Sequence, residues 1–250
     1  MGNQQHISAE FQVKLTNSPQ TVEAGKSVNL KFSIEQDGQV VPLDVFHEMK
    51  IHLLAVDEDL TWFCHAHPVE QKDGIFTLTQ VFPHGGKFFL FADFKPSGAE
   101  QTVKKLEILV KGKTMSNHEE ISSKLVSEVS GYIITLENGS NFKTNRTQPL
   151  EVSVEENGKK MHQSDLQQFL GAFAHIVMIR KVGKEFLHIH SISERNYPIY
   201  AETHIEKSGI YRMWIQFKVA QQVHIADFTV EVTEGKPKDD GKNPHHAHDH

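Results

Sequence analysis

The 250-residue sequence has a single cysteine, Cys64, which excludes an intramolecular disulfide and every multi-cysteine zinc or iron–sulfur site. It has no stretch near the roughly 20 consecutive apolar residues that cross a bilayer, so it does not read as membrane-spanning. Basic side chains are the minority, 26 against 32 acidic, and a formal net charge of -6 argues against a nucleic-acid partner. The motifs of common catalytic machinery are also missing. There is no Gly-x-Ser-x-Gly elbow, no phosphate-binding glycine loop and no His-Glu-x-x-His, so the expectation is a non-enzyme. The opening Met1-Gly2-Asn3-Gln4-Gln5-His6 lacks the hydrophobic segment of a secretory signal. Either the chain is cytoplasmic or it is a mature form whose signal has been removed.

What the sequence does have is histidine, 17 of them, and a duplication that organises them. A constant shift of 123 residues places His52 on His175, Phe63 on Phe186, His65 on His188 and His67 on His190. The same shift carries Gly86 onto Gly209, Phe88 onto Tyr211 and Phe94 onto Phe217. Repeats of this kind imply tandem domains, expected at 7–112 and 129–234, with a polar linker at 113–128. A short helix capped by Ser116 and Glu119 is expected in the linker. Residues 235–250 form a polar extension that includes His245, His246, His248 and His250, and it reads as a disordered, metal-collecting tail.

Within each repeat the apolar period is two. Val28, Leu30, Phe32 and Ile34 alternate with polar neighbours, as do Leu150, Val152 and Val154. Asp37-Gly38 and Asn157-Gly158 are hairpin dipeptides. Further strands are expected at 50–56, 61–67, 75–81, 86–94 and 102–110, and single helical turns at 42–46 and 164–169. Six or seven short strands in about 105 residues predict an all-β chain of two tandem immunoglobulin-like β-sandwich domains.

The strongest chemical signal is His-x12-His-x-His, once per repeat. A tight hairpin turn at 57–60 would set Leu54 opposite Phe63 and His52 opposite His65, with His67 two residues further along the same face. The corresponding arrangement sets Val177 opposite Phe186 and His175 opposite His188, with His190 beyond. Three neutral imidazoles suit copper or zinc and leave one coordination position open. His224, whose parity matches Ala226 and Phe228, is expected near the second cluster as a further ligand; the first repeat has Thr102 near that place. Cys64 alternates away from His65 and has Leu187 as its counterpart, so a shared site does not need it. The competing reading is structural: a hydrogen-bonded imidazole cluster closing the end of a sandwich in a non-catalytic envelope scaffold or interaction module. A metal-dependent hydrolase is a remote third, because no glutamate is placed by motif to serve as its base.

The run from Asp165 to His175, the Phe186-Leu187-His188-Ile189-His190 segment, the strand from Ser208 to Phe217 and the ending from Val223 to Val230 resemble bacterial YtkA-like immunoglobulin-like domains. That resemblance implies an extracytoplasmic protein, periplasmic, secreted or envelope-anchored, associated with heavy-metal or copper handling. The partners expected are a metal ion and another envelope protein, and the resemblance is compatible with a lipid anchor in a precursor. The first repeat departs from the pattern, with Lys50-Ile51 in place of the small residues before the histidine and no late histidine.

Overall fold

The computed structural model describes residues 10–115, 122–193 and 196–236. The capped helix expected at Ser116, the N-terminal hexapeptide and most of the histidine-rich tail lie outside the described residues. The chain divides into two units, residues 1–120 and 121–250.

In the first unit one sheet is built on strand Ser27–Gln36, which pairs with Gln12–Ser18 on one side and Phe76–Val81 on the other. The second sheet runs in the order Val22–Glu23, Thr102–Lys111, Gly86–Pro96, Ile51–Asp57, Phe63–Ala66. Leu30, Phe32 and Ile34 from one sheet meet Leu53, Phe88, Leu90 and Phe94 from the other in a single core. The second unit repeats this plan. Thr147–Glu156 pairs with Tyr132–Leu136 and Ile199–His204, and faces a sheet ordered Phe186–His190, Ala174–Arg180, Gly209–Val219, Gln222–Val232. Each unit is thus an immunoglobulin-like β-sandwich, and the chain is all-β. The second unit begins its pairing early, since Lys124 bridges Thr229 and strand Val126–Val129 joins Tyr132–Leu136.

Local chemistry explains the turns. Asp37 and Gly38, like Asn157 and Gly158, all have positive φ, the requirement of the two-residue turn that matches strand twist. Gly86 and Gly209, equivalent under the 123-residue shift, sit at φ 121° and 130°, where a side chain is strained. Among the described residues helical geometry is confined to three 3-10 turns, Lys72–Gly74, Gly139–Asn141 and Gln163–Asp165. The turn expected at 42–46 is instead extended. Leu43 is buried, and Leu43–Asp44 pairs with Lys95 and Pro96, so sheet bonding overrides the local preference.

The two central strands Ile51–Asp57 and Ala174–Arg180 are buried along almost their whole length. Ile51, Leu53 and Ala55 belong to the core, whereas His52, Leu54 and Val56 occupy the opposite face. In the second unit Ala174, Ile176 and Met178 are core residues, and His175, Val177 and Ile179 are on the reverse. Both histidine clusters therefore lie on the face of their sheet that is turned away from the sandwich core.

The hairpin leading to the first cluster is held by Asp57, which is 2% exposed. Its carboxylate accepts from the Thr61 and Trp62 amides at 2.7 and 2.9 Å and from the Thr61 hydroxyl. His84 Nε2 lies 3.4 Å from the same carboxylate, while the Nδ1–H of His84 donates to the Gly85 carbonyl at 2.8 Å. Removing the acceptor takes a charged partner from two amides and a hydroxyl that are partly buried. Asp57→Ala is accordingly expected to destabilise the first unit by about 2–4 kcal/mol in urea unfolding, since a hydrogen bond to a charged group is worth about 1.5–3 kcal/mol and the three share one carboxylate. An unchanged midpoint would show that the loop is held by other contacts.

Candidate metal centre

Each cluster is assembled from a central strand and its neighbouring edge strand. In the second unit His175 pairs directly with His190 and Val177 with His188. In the first, Leu54 pairs with His65 and Val56 with Phe63, so the next pair along sets His52 against His67. This register differs by two residues from the tight-hairpin expectation. The reason in the first unit is Asp57, whose bonds to the Thr61 and Trp62 amides lengthen the loop. In the second, the bond from Arg180 N to Glu185 O encloses a longer turn. A shift of two preserves the face, because side chains alternate along a strand. The three imidazoles still converge.

In each triad one nitrogen per ring lies within 4.8 Å of the other two. His52 and His175 are fully buried, and the other four are half-buried. The ring arrangements agree closely. Ring centroids are 5.1 Å apart with planes at 85° for His52–His67, against 4.9 Å and 88° for His175–His190. For His65–His67 the values are 4.6 Å and 55°, against 4.4 Å and 53° for His188–His190. For His52–His65 they are 5.5 Å and 39°, against 5.9 Å and 36° for His175–His188.

A main-chain carbonyl orients the buried ring. His52 Nε2–H donates to the Phe46 carbonyl at 3.2 Å, and His175 Nε2–H to the Phe169 carbonyl at 2.8 Å. A carbonyl can only accept, so Nε2 carries the proton and the Nδ1 lone pair is left for the cluster. The carbonyl is supplied by a minute hairpin, Phe46–Met49 in the first unit and Phe169–Ala172 in the second. Its central residues have positive φ in both, His47 and Glu48 at 46° and 66°, Leu170 and Gly171 at 51° and 75°. His52 Nδ1 lies 3.3 Å from His65 Nε2. Two nitrogens bound to one tetrahedral zinc at about 2.0–2.1 Å would be about 3.3–3.4 Å apart, so this pair already stands at the spacing of two ligands to one ion, and the third nitrogen of the triad lies within 4.8 Å of both.

His224 is not part of the second cluster. It pairs with Phe217, which pairs in turn with Ala174, and this row faces the core. Its ring packs on Tyr132 and Phe217 at 5.0 and 5.4 Å. The parity with Ala226 and Phe228 holds; the error lies with His175, whose row, Gln216 and Ile225, is on the other face. Cys64 packs against the core of the first unit, and burial pushes its thiol up.

Sequence reasoning missed Asp93. It stands directly opposite His52 on the strand Gly86–Pro96, and its counterpart Gln216 stands opposite His175. A carboxylate inside the apolar run from Phe88 to Phe94 was the available signal. Asp93 is fully buried, and Gln101 Nε2 donates to its two oxygens at 2.8 and 3.0 Å. Burial pushes its carboxyl up to about 6, partly offset by the Gln101 bond and by His52 and His47.

The fold and the paired clusters define a tandem immunoglobulin-like protein with a histidine triad in each repeat. The chain belongs to the family described as Domain of unknown function (DUF8832), whose model matches residues 6–111 and again 127–234. No curated protein matches it. Among solved structures the chain is similar to the fibronectin(III)-like modules of Clostridium thermocellum CbhA, at 14% identity over 96% of this chain and 100% of that one, TM-score 0.26. It is likewise similar to the Escherichia coli adhesin FdeC, at 14% identity over 90% of this chain and 64% of that one, TM-score 0.29. These likenesses carry no functional inference, and neither they nor the family match supports the YtkA-like resemblance or its copper link.

The Asp93 environment yields a stability prediction. A carboxyl raised above its unfolded value favours the folded state fully below pH about 3.8, and that contribution is lost as pH rises through about 6. Asp93→Asn should therefore stabilise the metal-free protein at pH 7.5, by an amount on the order of 2–3 kcal/mol. The advantage over wild type should vanish near pH 4. Thermal unfolding of chelator-treated protein at the two pH values measures this, and a variant less stable than wild type at pH 7.5 would contradict it.

Proposed function

We propose that this chain is a non-catalytic, extracytoplasmic protein that binds a transition-metal ion, copper or zinc, at each of two histidine triads. The observation that carries the reading is the matched pair of clusters, with each buried ring held by a carbonyl six residues upstream. His52, His65 and His67 hold one ion, and His175, His188 and His190 the other. Three neutral imidazoles leave a coordination position for water or for a donor from another molecule, which suits carriage and transfer of an ion. The half-buried rings of each pair, His65 with His67 and His188 with His190, provide the route of entry. The extracytoplasmic setting and the inclusion of copper beside zinc rest on the resemblance to YtkA-like domains. An envelope protein that delivers or accepts the ion is the partner this role requires.

Elemental analysis of the full-length chain with His245, His246, His248 and His250 changed to alanine tests the reading. We expect close to two ions per chain. The triple change His175→Ala, His188→Ala, His190→Ala should remove one, and the corresponding change at His52, His65 and His67 should remove the other. Ligand imidazoles must be deprotonated, and the ordinary histidine pKa is about 6.5, so occupancy should fall steeply as pH drops from about 6.5 to 5. Equal metal content in all three proteins, with loss of stability in the triple variants, would instead assign the clusters a structural role.

A further inference from the structure

The two triads are alike in their rings and unlike in their neighbours. Position 93 of the first unit and position 216 of the second are equivalent under the repeat shift, and each faces the fully buried histidine of its triad across the sheet. One is a carboxylate and the other a neutral amide. Directly opposed residues have Cβ atoms about 4.5–5.5 Å apart and project to the same side of the sheet. Asp93 is therefore next to His52 without being one of the three grouped donors. It is 0% exposed, and Gln101 holds both of its oxygens.

A divalent ion on three neutral imidazoles places two positive charges in a site that is partly withdrawn from water. That is unfavourable unless a negative group stands near. The first unit has such a group, and its counterpart in the second unit is neutral. We propose that Asp93 compensates the charge of a divalent cation at His52, His65 and His67, and that Gln216 leaves the second triad with a relative preference for a monovalent ion. This rests on the metal-binding reading above and divides its two sites by ionic charge. The electrostatic gain scales with the charge of the ion. Asp93 should thus favour a divalent ion by the square of the factor by which it favours a monovalent one.

The test uses full-length chains lacking the four tail histidines and carrying only one intact triad, titrated at pH 7.5 against competing chelators. The probes are Zn2+ and, under anaerobic conditions, Cu+. The chain with the first triad should bind Zn2+ about 10–100-fold more tightly than the chain with the second, the span typical of an outer-shell carboxylate. Asp93→Asn, which keeps the shape of the side chain, should abolish that advantage while weakening Cu+ by only the square root of the same factor. Gln216→Glu in the other chain should raise its Zn2+ affinity, an outcome that misfolding cannot mimic. Undiminished Zn2+ binding in Asp93→Asn, or equal losses for both ions, overturns the proposal and leaves the metal sites standing. Binding of neither ion by either single-triad chain overturns the metal reading itself, and the proposal with it.

Discussion

One hydrogen bond decides what each cluster can do. The carbonyl of Phe46 or Phe169 holds the Nε2 proton of the buried histidine, and this fixes both the tautomer and the direction of the remaining lone pair. Without that bond the buried imidazole could turn its N–H into the cluster and occupy the space between the rings. With it, the ring nearest the sheet presents a lone pair toward its two half-buried companions. Ring packing follows the same constraint: Phe46 lies 4.8 Å from His52 and Phe169 lies 5.6 Å from His175, each tilted or edge-on to the ring it orients.

The sandwich places this bond on a rigid base. Each central strand is buried on both faces and has little freedom to slip, since a shift of one residue would carry His52 or His175 into the apolar core. Ile51, Leu53 and Ala55 secure one side of the first central strand, with Leu54 and Val56 on the other. The same burial that fixes the strand keeps His52 and His175 out of water and brings their neighbours at 93 and 216 into electrostatic range.

The duplication, the alternating strands and the membership of both triads were legible in the sequence, because each depends on spacing and parity alone. The hairpin register was not. In the first unit it goes with the Asp57 carboxylate capturing two amides, and in the second with the backbone bond from Arg180 to Glu185, loop choices that periodicity does not encode. The placement of His224 failed for a different reason. Ala174, Ile176 and Met178 are as apolar as Val177 and Ile179, so parity could group the residues of that strand without telling which group met the core. Asp93 was legible in principle, as a lone acid among phenylalanines, but its meaning depended on knowing which strand lay beside His52.

The acceptor that orients each buried ring belongs to the main chain, and every residue type carries it. Exchanging the side chain at Phe46 or Phe169 leaves the oxygen in place. Changing the number of residues between that hairpin and the strand moves the oxygen away from the ring. The centre is thus tolerant of composition in the loop that supports it and intolerant of its length, so drift within the repeat should be recorded there as substitutions and not as insertions.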